Sequence, residues 1–403
     1  MTTRINAFRA VSYPWRLYCG ADALANLADE VRRHNAQRAF VICGQTVSQR
    51  TNLLQRIIDQ LGGLYAGAFD RMGKDCTYTG VVSATAAARA ASADLIIAVG
   101  GGSVIQGARV VAILLAEKGR AIDLMTQYPE GEPAVSPRLL APKIPIINVP
   151  TTPTSAMNRA GSALKNDELD HRMEFFDPKT RPVALFWDSE ALLTAPLSLA
   201  RSAGTTTYTG SLQGVVAPFA NPLVESDYLQ AYRLASRALR RMLDEPGNAD
   251  LRIDLCAAAF LQNRAADDGL RGARERTWST AYALATALHI RYDHVGQGEA
   301  TSAVTPSVIR RTAARGDVAA RLAQTLGVWK EGMSLETAAG AAADAIEAFY
   351  RSIGMPVRVQ ELQIPEGDLP QLARDTLMNF NANSGERPPN YLDEMLDTLR
   401  ACW

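Results

Sequence analysis

The stretch Ala93–Arg109, ADLIIAVGGGSVIQGAR, constrains this chain more than any other. The apolar run Leu95–Val99 stops at Gly100, Gly101, Gly102 and Ser103, and a small-residue helical pattern follows. Apolar residues ending in consecutive glycines describe a buried strand leaving the edge of a parallel sheet. Glycines let backbone N–H groups approach an anion closely, and the helix start adds partial positive charge. That makes a diphosphate cradle. The run is neither the six-position dinucleotide fingerprint nor a Walker loop, and a tight strand–helix turn with no ligand fits the same residues.

The strand signal recurs along the first half. Residues 14–20, Ala39–Ile42, Gly67–Met72, Leu95–Val99, Pro145–Val149 and Val183–Phe186 read as strands; Ala21–Arg33, Leu53–Leu61 and Val81–Ala93 read as helices between them. Alternation of this kind predicts an α/β doubly wound parallel sheet with its ligand site at the carboxyl ends of the strands. The turns after Ile42, Val99 and Val149 should then face one crevice. From Thr194 onward β-branched runs vanish, and Ala, Leu and Arg recur at helical spacing. The expected organisation is a dinucleotide-binding domain over residues 1–190 and an all-helical substrate domain over 191–403.

A length of 403 residues accommodates both. Formal net charge is zero, which implies neither nucleic acid nor a membrane surface as partner. No apolar run reaches the roughly 18 residues of a membrane span, and the start has no apolar leader core. The 5 cysteines form no Cys-x-x-Cys pair, which suits a cytoplasmic location. Only 4 histidines are present, His34, His171, His289 and His294, so any metal chemistry must work with those.

An open sheet carrying GGGS, then a strand ending in Pro150-Thr151-Thr152, then a helical half, resembles the group III iron-containing alcohol dehydrogenase family, with its dehydroquinate synthase-like fold. The family's GGGS-x-x-D-x-A-K is similar to Gly100–Arg109, with Gln106 for the aspartate and Arg109 for the lysine. Its P-T-T-A-G-T-G-S-E is similar to Pro150–Asn158, and its l-G-i-P turn to Ile353–Pro356. The resemblance implies that Gly100, Gly101, Gly102 and Ser103 hold a diphosphate and that Thr151, Thr152 and Ser155 contact the nucleotide. NAD-using members carry an acid after the second strand. Here Cys43-Gly44 stands there; an open Gly44, with Arg50 near in sequence, leaves room for a 2′-phosphate and points to NADP over NAD. A plain turn glycine fits Gly44 as well.

The family also holds a divalent metal with Asp-x-x-x-His on one helix and two further histidines. Those positions fall on Thr206, Gly210, Tyr282 and Gly296, or Gln297 if the alignment slips by one. Such residues do not replace three imidazoles and a carboxylate, so no catalytic metal is expected. Proton transfer then needs side chains: Tyr282, His294 and Tyr208 are candidates, with Thr206 a hydrogen-bonding group for substrate. Packed helix aromatics and a loop histidine are the bland readings of the same residues. Arg264, Arg271, Arg274, Arg276 and Arg291 form a basic region, a solvated face or a carboxylate anchor, with Arg274 and Arg291 the candidates for substrate.

The expected function is a metal-independent NAD(P)-dependent oxidoreductase acting on an alcohol/carbonyl pair, with the nicotinamide between sheet and helical half. In fold and ligand loss the chain is similar to enzymes that oxidatively decarboxylate a C-terminal threonine in daptide-type ribosomal peptides, so a peptide substrate is one version. A reductase of a small aldehyde or keto acid is another, and a catalytically inactive dinucleotide-binding scaffold a third. By family analogy the chain forms a homodimer.

Overall fold

The computed structural model describes residues 8, 10–129, 132, 134–169, 171–216, 221–267, 276–313, 318–379 and 391–403. The chain divides into two compact units, one of Tyr13–Pro196 with Gly247–Cys256, the other of Leu197–Pro246 with Ala257–Trp403.

The first unit is built on a six-stranded sheet. Its strands are β1 (Arg16–Gly20), β2 (Ala39–Cys43), β3 (Tyr65–Phe69), β4 (Leu95–Gly100), β5 (Ile146–Pro150) and β8 (Ala184–Asp188), in the spatial order β1-β8-β5-β4-β2-β3. Every pairing is parallel. β2, β4, β5 and β8 are buried along their whole length, because helices cover both faces. On one face Val41, Ile97, Val149 and Phe186 pack with Leu27, Val31, Leu53 and Ile57 of the helices Leu27–Arg33 and Leu53–Leu61. Helices Tyr78–Ala90 and Gly102–Ala116 pack together and against the sheet.

β2 is followed by a move to β3 on one side, and β4 by a move to β5 on the other. The chain therefore changes direction between β2 and β4, the place where open α/β sheets open a crevice at their carboxyl edge. The register brings the strand ends level: Cys43 lies opposite Val99, and Gly100 opposite Pro150. The turns after β2, β4 and β5 thus share one edge, as the alternation predicts.

Two elements differ from expectation. β3 starts two residues earlier than Gly67 because the β2–β3 register slips between Ala39 and Phe40, and Gly67, at φ 136°, lies against the Phe40 ring. Met72 has already left the sheet. The antiparallel hairpin β6 (Gly161–Leu164) and β7 (Met173–Phe176) was not expected at all; two four-residue strands flanking a polar segment carry too little alternation to be seen.

The second unit is helical. Leu197–Val215 packs with Pro222–Arg241, and Arg276–Arg291 with Gln297–Thr312. Gly210 and Gly214, one turn apart on Leu197–Val215, let neighbours come close: a Cβ on Gly214 would lie 1.9 Å from the Tyr228 ring. Among the described residues no helix is long and apolar enough to cross a membrane.

Candidate functional site

At the carboxyl end of β4 the backbone turns sharply into helix Gly102–Ala116. Gly100 has φ 157°, and a Cβ there would lie 2.7 Å from Val104 Cγ2. Gly101 is the N-cap with no side-chain cap bond, and the first amide bonded within the helix is that of Ile105, to Gly101 O at 3.2 Å. The amides of Gly102, Ser103 and Val104 precede it and are free for an external acceptor.

Threonines of the β5 turn close on these glycines. Thr151 N donates to Gly100 O at 3.0 Å, a Cβ on Gly101 would meet Thr152 Oγ1 at 3.2 Å, and one on Gly102 would meet Thr154 Oγ1 at 2.9 Å. Added methyl groups would thus press on Val104 and on these threonines, so the turn packs only as bare backbone. Thr154, absent from the sequence expectation, belongs to this wall, and its hydroxyl also accepts from Ala156 N at 3.1 Å. The hydroxyl-rich run PTTPTS was the available signal. Ser155 is half-buried in the same turn. Ser103 faces another way: its Oγ accepts from Asp75 N at 3.0 Å, so the hydroxyl is engaged by protein.

The turn is pinned from below. Asn148 Nδ2 donates to Met157 O at 2.7 Å, Gln106 Oε1 accepts from Ala163 N at 3.1 Å, and buried Arg109 donates to Ala156 O and Gly161 O. The two departures from the family's motif therefore hold the backbone that follows Pro150-Thr151-Thr152.

Gly44 caps helix Gln45–Arg50, and the space beside it is not open. A Cβ on Gly44 would sit 3.2 Å from Met72 O, and Met72 N donates to Cys43 O at 3.1 Å. The loop after β3 thus lies against Gly44 and presents a carbonyl oxygen there. The same loop presses Met72 and Cys76 against Gly107, where a Cβ would lie 2.8 Å from Met72 Cε. Burial, then Asp70, pushes the Cys43 thiol up to about 12, leaving it protonated and inert.

In the helical unit the expected residues that are described make the following contacts. Tyr208 is 1% exposed, stacked on Phe349 with centroids 4.1 Å apart, and burial raises its phenol well above 10. It is a core aromatic, which corrects its expected catalytic role. Thr206 Oγ1 donates to Ala203 O at 2.7 Å. His294 lies 2.9 Å from Leu362 O through Nε2. Tyr282 is 39% exposed. Arg291 pairs with Asp375 at 3.3 Å and Arg264 with Asp227, so neither is a free anion anchor; Arg271 and Arg274 lie outside the described residues. Nothing in the residue pattern announced Gln262. A Cβ on Gly210 would lie 2.1 Å from its Nε2, the residue is 8% exposed, and its Oε1 has no hydrogen-bond partner.

The donors at the expected metal positions do not make a metal nest. Thr206 is turned onto its own helix, Gly210 has no side chain and its space holds a carboxamide, Tyr282 offers a phenol, and Gly296 caps the helix that starts at exposed Gln297. Among the described residues no three His, Cys, Asp or Glu side chains converge. Divalent iron and zinc need imidazole, thiolate or carboxylate at such points.

The family model "Iron-containing alcohol dehydrogenase" matches residues 14–189, and "Fe-containing alcohol dehydrogenase family, C-terminal" matches residues 211–403. Lactaldehyde reductase of Escherichia coli (strain K12) is 24% identical over 392 residues, 95% of this chain and 97% of its own. The solved structure of a 1,3-propanediol oxidoreductase superposes with a TM-score of 0.82 at 22% identity, covering 99% of this chain and 100% of its own. The sulfoacetaldehyde reductase of Bifidobacterium kashiwanohense, solved in complex with NAD+, superposes at 0.77 and 20% identity, covering 98% and 99%.

Proposed function

The chain belongs to the iron-containing alcohol dehydrogenase family, an oxidoreductase of alcohol/aldehyde type, and from that premise we propose that it works on an alcohol/carbonyl pair of a small molecule with a nicotinamide dinucleotide but without a catalytic metal. The observation that carries the proposal is the Gln262 carboxamide lying where a side chain at Gly210 would stand.

The backbone amides of Gly102–Val104 hold the diphosphate, and Thr152 and Thr154 line its path. The relative solved with NAD+ supports a nicotinamide dinucleotide as the occupant. A nicotinamide bound there would supply hydride exchange with the reacting carbon of the substrate. The chain's own task is the substrate oxygen. Gln262 offers an N–H donor from a nine-tenths buried side chain, where a hydrogen bond to developing negative charge is worth more than in water. In the reducing direction the half-exposed Tyr282 phenol of the same unit gives its proton to the carbonyl oxygen as the C–H bond forms, and water reprotonates it. The decarboxylating version needs an anchor for a carboxylate, and the pairing of Arg264 and Arg291 with acids does not favour it.

Protein dialysed against chelator, then assayed at 340 nm with NADH or NAD+ and a panel of small aldehydes, keto acids and alcohols, tests the reading. Turnover insensitive to chelator is expected. Turnover that appears only after iron or zinc is returned would overturn metal independence. Binding of dinucleotide with no turnover on any substrate would favour the inactive scaffold.

A further inference from the structure

The corner of the crevice at β2 and β3 holds one carboxylate that the reading above leaves unused. β3 pairs with β2 through Ile42 and Phe69, so Asp70 leaves the sheet beside Cys43 and Gly44, one strand over from the end of β2. Its Oδ2 accepts from Ser48 Oγ at 2.9 Å, which fixes the group to helix Gln45–Arg50. Its Oδ1 accepts no hydrogen bond from the described residues. The Met72 carbonyl oxygen lies 3.2 Å from the Cβ position of Gly44, a second acceptor that a phosphate placed there would face. The neighbouring cations do not offset the charge: Arg71 is turned over the Phe69 ring at 5.8 Å, and Lys74 lies 3.9 Å from Asp75.

We propose that Asp70 reads the adenosine ribose of the dinucleotide, its Oδ1 accepting the ribose hydroxyls of NAD(H) and its charge rejecting the 2′-phosphate of NADP(H). This rests on the dinucleotide reading, and it reverses the preference for NADP suggested by Gly44 alone. A carboxylate accepts the two hydroxyls of an unmodified ribose and repels a phosphate dianion at the same point. The acid is supplied by the strand next to β2 instead of β2 itself, held rigid by Ser48.

Fluorescence titration of the full chain with NADH and with NADPH tests it. NADH is expected to bind at least tenfold tighter than NADPH. Asp70→Asn, which keeps the shape and the Ser48 contact, is expected to weaken NADH and tighten NADPH until the two lie within about threefold, with an unchanged melting temperature. NADPH binding as well as NADH in the unmodified protein would overturn the proposal, with no variant needed. So would an Asp70→Asn variant that weakens both cofactors equally. Failure of both to bind the unmodified protein would remove the dinucleotide reading itself, and the proposal with it.

Discussion

Gln262 occupies the space that a side chain at Gly210 would need. The Nε2 lies 2.1 Å, and the Cδ 2.7 Å, from a Cβ built on that glycine. The two residues come from different helices, Leu197–Val215 and Ala249–Asp267, so the glycine is what lets these helices approach.

This pair can be separated by a double-mutant cycle. Helix propensity alone would make Gly210→Ala stabilising by about 1 kcal/mol. Overpacking against a carboxamide that is 8% exposed reverses the sign and makes it destabilising by about 1–3 kcal/mol. In Gln262→Ala the same substitution becomes neutral or favourable, a coupling of about 1 kcal/mol or more in urea unfolding. Additive effects would show that the two do not share the space.

The glycine turn makes a graded prediction. Gly100→Ala meets both the φ of 157° and Val104 Cγ2 at 2.7 Å, whereas Gly101→Ala meets only Thr152 Oγ1 at 3.2 Å. The first should cost about 2–4 kcal/mol and weaken dinucleotide binding more than tenfold; the second should cost less than about 1 kcal/mol. Thermal melts and titrations read the two together, and equal effects would contradict the geometry.

Much of the fold could be read from the residues because each strand is short, apolar and closed by glycine, proline or an acid, so Leu95–Gly100 and Ile146–Pro150 stand out. Helix periodicity located the second half for the same reason. The site was legible where it is backbone: consecutive glycines announce a bare turn. It was illegible where it depends on approach between distant segments. Gln262 reaches Gly210 across 52 positions, and Met72 covers Gly44 from the next strand; neither leaves a periodic trace. Tyr208 misled because a tyrosine among threonines reads the same whether it faces substrate or Phe349.

Arg109 predicts a local effect. One guanidinium serves Ala156 O and Gly161 O from a fully buried position. Lysine offers a single head and cannot reproduce that fork. Arg109→Lys should speed amide exchange over residues 154–162 and weaken dinucleotide binding at least threefold. Unchanged exchange there would show that the turn is held by other groups.

The acid limb of stability follows from Lys143, which is fully buried between Glu117 at 2.7 Å and Asp177 at 3.0 Å. Its hydrogen bond holds the Glu117 carboxyl below the ordinary range, and for Asp177 the bonds from Lys179 and Lys143 outweigh burial, which acts upward. A carboxyl lowered in the folded state stabilises fully above its unfolded value of about 4, and that stability is lost as pH falls through the folded value. Unfolding free energy should therefore be flat near neutrality and drop below about pH 4. Lys143→Met, by removing the cation between buried Asp177 and half-buried Glu117, should cost about 3–5 kcal/mol at pH 7 and distinctly less at pH 4. An equal loss at both values would contradict the assignment.

The central claim is a dinucleotide held on bare backbone and an alcohol/carbonyl reaction that needs no catalytic metal. Crystals grown with NAD+ and measured at the iron and zinc absorption edges test it most directly. The account predicts diphosphate density on the amides of Gly102–Val104 and no anomalous peak near Gly210. An empty turn at Gly100–Ser103, or an anomalous peak coordinated by protein side chains of the helical unit, would contradict it.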